Sequence, residues 1–182
     1  MSRKIELRLA GSGGQGLVLA GIILAEAAVL YDGKRAVQTQ SYGPEARGGA
    51  SKSEVIISQE DIDYPKCENL DVLLALTQES CNKYVDDLKA TGTLLLDTDQ
   101  VGGIPKGPWE KVICIPFLAI ARDQLGKQMV ANIVALGALV ALTGVVTREA
   151  IEQAVLNRVP KGTEDLNKRA LEAGFEAARK AA

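Results

Sequence analysis

The 182-residue chain contains no histidine. That absence removes Ser-His-Asp catalysis, Cys-His nucleophile pairs and histidine-ligated zinc together. Cysteine is scarce, and Cys67, Cys81 and Cys114 show no CxxC spacing. An iron–sulfur cluster held by one chain normally takes four thiolates, so none is expected here. The pattern reads as free thiols in a reducing cytoplasm, with Cys114 in an apolar strand-like run where a small hydrophobe would serve as well. Aromatic residues make up only 4% of the chain, too few for a base-stacking surface, and a formal charge of -2 supplies no basic field. Nucleic acid is therefore not an expected partner. No secretory signal is visible at the N-terminus. Residues 128–147 carry no charged side chain and approach the length of a bilayer span, but Asn132, Gly137, Thr143 and Gly144 interrupt them and no Trp or Tyr marks either end. A buried helix is expected there, and no membrane.

What is present is the composition of an ordinary globular protein, 47% apolar and 24% charged, at a length that favours one domain over residues 1–182. The chain opens on Gly11-Ser12-Gly13-Gly14-Gln15-Gly16. Before it, Ile5, Leu7 and Leu9 share one face at period two and predict a strand. After it, Leu17, Ala20, Gly21, Leu24, Ala27 and Ala28 recur at three-and-four spacing and predict a helix over 16–30. Strand, glycine loop and helix together form a setting in which backbone N–H groups and a helix N-terminus can hold a phosphate. The plainer reading is a tight turn that needs glycine for positive φ.

Downstream the pattern alternates. Strands are predicted at 35–40, 50–58, 71–76, 93–96 and 111–117. Thr77 caps a helix whose buried side holds Tyr84, Val85 and Leu88, with a turn at Thr91-Gly92 before the next strand. Asp97 and Asp99, two apart, lack a third metal ligand and read as a polar strand exit. Trp109 is an isolated aromatic that could pack on a partner. Ala131, Ala135, Gly137, Ala138 and Ala141 make one helix narrow enough for a second backbone to approach, whether from this chain or from another subunit, with Gly144 as its C-cap. A helix capped by Thr147 and a last one opened by Thr163 with Glu164 and Asp165 close the chain. The expected fold is a three-layer α/β/α, Rossmann-like domain with a mostly parallel sheet.

A nicotinamide-binding fold usually places an acid at the end of its second strand to hold the ribose. Gln38, Thr39, Gln40 and Ser41 occupy that place here, which weakens NAD. The next stretch, Ser41-Tyr42-Gly43-Pro44-Glu45-Ala46-Arg47-Gly48-Gly49, brackets Glu45 and Arg47 with turning backbone. Arg47 can offer a planar fork to a phosphate or carboxylate, and Tyr42 a hydroxyl and a ring face. The bland alternative is a solvated Glu45–Arg47 pair.

GSGGQG, QTQSYGPEARGGASKSEV, MVANIVALGALVALTG and the closing NKRALEAG together resemble the gamma subunit of 2-oxoacid:ferredoxin oxidoreductases, most closely the 2-oxoglutarate branch, over about residues 3–174. The resemblance implies a complex that converts a 2-oxoacid and coenzyme A to acyl-CoA, CO2 and reduced ferredoxin. It implies alpha, beta and delta partner subunits that hold thiamine diphosphate, Mg2+ and [4Fe-4S] clusters. This chain would then be non-catalytic alone and cytoplasmic. Gly11, Gly13, Gly14, Gln15 and Gly16 would form one lip of a coenzyme A-side site or seam, and Ser41, Tyr42, Gly43, Glu45, Arg47 and Gly48 the other. Two rivals stand beside it, a stand-alone NAD- or FAD-dependent oxidoreductase and a pure interaction module. A homodimer of the isolated chain also stays open.

Overall fold

The computed structural model describes residues 4–41 and 50–182. The first strand, β1 (Ile5–Ser12), lies near the middle of a six-stranded sheet of order β2-β3-β1-β4-β5-β6. The others are β2 (Arg35–Ser41), β3 (Ala50–Ser58), β4 (Leu70–Ala75), β5 (Leu88–Asp97) and β6 (Lys111–Ile115). β1, β4, β5 and β6 run parallel, while β3 is antiparallel to both of its neighbours, β1 and β2. Five strands thus share a direction, and the mostly parallel α/β expectation holds.

One departure matters for function. β3 is inserted between β1 and β2, so the end of β2 stands two strand spacings from the glycine loop, about 10 Å. In a dinucleotide fold those two strands are neighbours, and the acid at the end of the second reaches the ribose.

The sheet has one thickly and one thinly covered face. On the broad face, Leu7, Leu9, Val55, Val72, Leu74, Leu95 and Ile113 pack beneath α1 (Leu17–Glu26), α4 (Ala131–Thr143), α5 (Arg148–Arg158) and α6 (Glu164–Ala181). α1 continues through a wider π turn over Ala27–Tyr31. On the narrow face, Ala10, Leu73, Ala75, Leu94 and Leu96 meet α2 (Gln78–Tyr84) and the loop residues Val101 and Trp109. Trp109 therefore packs on its own chain. A Cβ at Gly107 would run into its ring.

Several sequence expectations need correction. The helix after Thr77 ends at Tyr84, a single 3-10 turn carries Val85, and Leu88 already belongs to β5. Thr91-Gly92 is not a turn before that strand. It lies in an irregular stretch of β5, where the partner of Leu70 is Leu88 and that of Val72 is Thr93. Cys114 is exposed on β6, the edge strand of the sheet. Between β6 and α4 lies α3 (Phe117–Ala119), which continues as a π turn to Gln124.

The small residues in the middle of α4, Ala135, Gly137 and Ala138, are covered from within the chain, while Ala131 is half-buried and Ala141 exposed. A Cβ on Gly137 would strike the Leu171 carbonyl of α6, and one on Gly174 would strike the Val134 carbonyl of α4. Asn132 through Val140 are all buried. Gly144, at φ 60°, ends the helix as expected. Among the described residues no helix is long and apolar enough to cross a membrane.

Candidate functional site

β1 hands the chain to α1, which crosses the broad face toward β2, while β4 hands it to α2 on the narrow face toward β5. The connections from these two neighbouring strands leave in opposite directions, and the crevice between their carboxyl ends is a topological switch point, where open α/β sheets bind ligands. The glycine loop forms one wall of it. Leu76 begins the other, and its N–H donates to the Ala10 carbonyl at 2.9 Å.

Within the loop the glycines do different jobs. Gly11 makes room for a side chain: Gln15 folds back so that its Oε1 accepts the Ser12 N–H at 2.7 Å, and a Cβ on Gly11 would occupy that space. Gly16 is the N-cap of α1 at φ 74°, a conformation that favours glycine, and Asn132 of α4 donates to its carbonyl at 3.1 Å. Gly14 is also left-handed, at φ 86°. Gly13 and Gly14 are exposed, and a Cβ on either would meet nothing within 4 Å. Gly11 and Gly16 therefore hold the loop's shape, while Gly13 and Gly14 leave its backbone approachable.

The cleft beside them has a volume of about 390 Å³ and is lined by Gly14, Gln15, Leu76, Leu118, Gln128, Met129 and Ala131. None of these side chains titrates. The strand exits around it are fixed by hydrogen bonds. Thr77 Oγ1 accepts the Ser80 N–H at 3.2 Å, and Ser80 Oγ accepts the Thr77 N–H at 3.3 Å. Asp97 accepts the Leu118 and Asp99 N–H groups, each at 2.9 Å. Burial pushes the Asp97 carboxyl above its ordinary range, and these N–H groups offset only part of that. Its role is to join β5 to α3. Among the described residues no group of three acidic, cysteine or histidine side chains could hold a metal.

Of the second motif, Ser41 is the exposed last residue of β2 and pairs with Lys52, while Gly11 and Ser12 pair with Ser51 and Ala50. The strands that flank both motifs therefore end at one edge of the sheet. Tyr42, Gly43, Glu45, Arg47 and Gly48 lie outside the described residues.

Sequence reasoning missed a charged cluster on the narrow face. Arg8, 3% exposed, donates to Glu54 from Nε at 2.9 Å and from Nη2 at 2.6 Å, and also pairs with Asp87. Lys52 reaches the same Glu54 oxygen at 3.0 Å, and the Arg8 guanidinium lies 5.0 Å from the Tyr84 ring centroid. Nearby, Glu6 accepts the Glu68 and Asn69 N–H groups at 2.7 and 2.9 Å. Burial raises the Glu54 carboxyl, but the hydrogen bonds from Lys52 and Arg8 outweigh it and hold the group below the usual carboxylate range. Two cations and two anions balance, so the cluster clamps β1, β3 and the turn after α2. The available signal was the alternation Glu6-Leu7-Arg8-Leu9 in a central strand, where both faces must be buried.

A sequence model of the pyruvate ferredoxin/flavodoxin oxidoreductase family matches residues 6–177. The chain belongs to that family. It is 54% identical to the 2-oxoglutarate synthase subunit KorC of Methanocaldococcus jannaschii, over 96% of this chain and 94% of the relative. It superposes on the gamma subunit of a keto/oxoacid ferredoxin oxidoreductase from Geobacter sulfurreducens with TM-score 0.91 at 55% identity, covering 98% of each chain. It also shares a fold with a 2-oxoglutarate:ferredoxin oxidoreductase from Magnetococcus marinus, solved with 2-oxoglutarate, coenzyme A and succinyl-CoA bound. There the TM-score is 0.86 at 22% identity, over 99% of this chain and 32% of that one. Within the oxidoreductase family the chain is thus of gamma-subunit type, as its motifs implied.

Proposed function

We propose that the chain is the gamma subunit of a 2-oxoglutarate:ferredoxin oxidoreductase and forms the coenzyme A side of its active site. The observation that carries this reading is the switch-point cleft itself. Its described residues offer approachable backbone at Gly13 and Gly14 beside the N-terminus of α1, and among them no acid, base or nucleophile lines the cleft. Such a backbone cradle suits binding and orienting a phosphate-bearing ligand. The full-length likeness to 2-oxoglutarate synthase subunits supports the choice of oxoacid.

On this reading residues 1–182 act as one gamma-type domain in the cytoplasm. Gly11, Gly13, Gly14, Gln15 and Gly16 form one lip, and Ser41, Tyr42, Gly43, Glu45, Arg47 and Gly48 complete the other. Alpha, beta and delta subunits supply thiamine diphosphate, Mg2+ and the [4Fe-4S] clusters that pass electrons to ferredoxin. Thiamine diphosphate supplies the carbanion chemistry of oxoacid decarboxylation, and the residues of this chain position the acyl acceptor.

The test is steady-state kinetics of the reconstituted complex. Gly13→Val and Arg47→Ala should raise the KM for coenzyme A by about tenfold, the equivalent of one lost charge-assisted hydrogen bond, and leave that for 2-oxoglutarate unchanged. Unchanged coenzyme A dependence in both variants refutes the assignment. Oxidation of 2-oxoglutarate by the lone chain with a viologen acceptor refutes the non-catalytic role.

A further inference from the structure

The glycine loop contributes one side chain to the wall of the switch-point cleft, that of Gln15. A primary amide has an accepting end and a donating end, and the loop decides which of them faces where. The Ser12 N–H can only donate, so the end that lies 2.7 Å from it is the carbonyl oxygen, Oε1. The Gln15 N–H returns a bond to the Ser12 carbonyl at 3.4 Å, which closes the same four residues through the backbone. Oε1 is thus turned inward onto the loop, and the nitrogen Nε2, bonded to the same carbon, is the end that remains for the cleft.

Gly11 makes this posture possible. Its φ lies outside the left-handed region, so the backbone there does not call for glycine. The space beside it does. A Cβ would collide with Oε1 of Gln15 and stand 2.8 Å from Cδ1 of Leu17. The leucine can swing its methyl aside, whereas the amide can yield only by releasing Ser12. An amide held at one end before the ligand arrives loses little rotamer freedom on binding, which is the advantage of tethering it.

We infer that the Gln15 NH2 group binds the ligand directly, donating to an acceptor oxygen of coenzyme A, and that Gly11 is a positioning residue that acts through it. The inference rests on the reading of this cleft as the coenzyme A side of the site. A neutral donor beside the exposed backbone of Gly13 and Gly14 suits a phosphate or carbonyl oxygen, which accepts, and gives nothing to an ammonium group or a hydrocarbon. The oxygen and the nitrogen of one side chain therefore have separate duties, loop shape and ligand recognition. Replacing them one at a time tells the two apart.

The experiment is steady-state kinetics of the reconstituted complex. Gln15→Glu keeps an oxygen for the Ser12 N–H and removes the NH2. It should raise the KM for coenzyme A at least about tenfold, the loss of a hydrogen bond to a charged ligand, and leave that for 2-oxoglutarate unchanged. The rise should persist in about 0.5 M salt, where repulsion acting through solvent is screened. Gly11→Ala, which adds no charge, should raise the same KM, and adding it to Gln15→Ala should cost nothing further. The lone Gln15→Glu chain should melt at the wild-type temperature, which separates recognition from folding. A wild-type KM for coenzyme A in Gln15→Glu overturns the proposal, because loop shape alone is then what Gln15 supplies. So does a rise that vanishes in salt. An additive penalty from Gly11→Ala overturns its positioning role. If Gly13→Val raises that KM and Gln15→Glu does not, this inference fails alone; if neither variant moves it, the coenzyme A reading falls and the inference with it.

Discussion

α1 and α4 have the same sequence character and opposite fates. Both are nearly charge-free, and neither shows a polar face that could be left in water. From Asn132 to Val140 α4 is sealed inside the chain: α6 lies against its glycine side so closely that Gly137 and Gly174 each face a carbonyl of the other helix. α1 is sealed on one side only, and Val29 and Leu30 stand in solvent. The difference lies in what each helix has opposite it. α4 meets an amphipathic helix of 18 residues with small residues on its inner side, whereas the outer face of α1 is half-buried at Val18, Ile22 and Ala25 and exposed at Val29. An apolar helix states a demand for cover, and only the rest of the assembly decides who meets it.

Matched charges break the comparison most sharply. Ala138 of α4 is fully buried, and an aspartate there would strand a carboxylate in the core. Ala138→Asp should cost at least about 4 kcal/mol, enough to unfold a marginal domain. Chemical denaturation with a circular dichroism readout measures it, and a folded, near-wild-type variant would show that α4 is not the sealed helix. A milder probe acts on the α4–α6 seam. Gly174→Ala places a methyl against the Val134 carbonyl and 2.8 Å from the Ala138 nitrogen, so the helices must separate. The expected loss is about 1–3 kcal/mol, read as a lower urea midpoint at unchanged m-value.

How far these outcomes were legible varies residue by residue. The small residues of α4 announced close approach by another backbone, but not that α6 would supply it, because the pairing is set by two glycines 37 positions apart in sequence. The glycine loop was legible as a strand-to-helix turn. The division of labour within it was not, since Gln15 and Asn132 shape it through side-chain hydrogen bonds that no spacing reveals. Glu6 and Arg8 were overlooked because period two marks only one face of a strand, and only the central place of β1 shows that the other face is also buried. Inserting β3 between β1 and β2 is a choice of sheet order that local patterns do not encode. It is also what separates this site from a dinucleotide cradle.

The narrow face extends the comparison to charge. Glu54 is held below its ordinary range, so its contribution to stability is fully present above the unfolded value near 4.5 and is lost as pH falls through the lowered native value. Asp97 is raised, so it has the opposite sign: it costs stability at neutral pH, and that cost is relieved as pH falls through its raised native value. Glu54→Gln should remove that acid-side loss. The variant would start about 1–3 kcal/mol less stable at pH 7, because Arg8 and Lys52 lose a shared anion. It should then fall less steeply than wild type below about pH 5. Parallel denaturation series across pH test this, and equal slopes would place the acid sensitivity elsewhere.

The smallest effect is the most discriminating, because it is the other half of the matched pair. Leu30→Asp places the same charge on a helix as apolar as α4, at a position already in water. For the lone chain it should change stability by no more than about 0.5 kcal/mol, as surface substitutions do. Ala138→Asp and Leu30→Asp would then differ by several kcal/mol although both put aspartate on an uncharged helix. A loss above about 2 kcal/mol from Leu30→Asp in the isolated chain would mean that the outer face of α1 is covered even there, by a second copy or by a segment of this chain. A near-zero loss leaves the apolar character of that face without a use in the folded monomer.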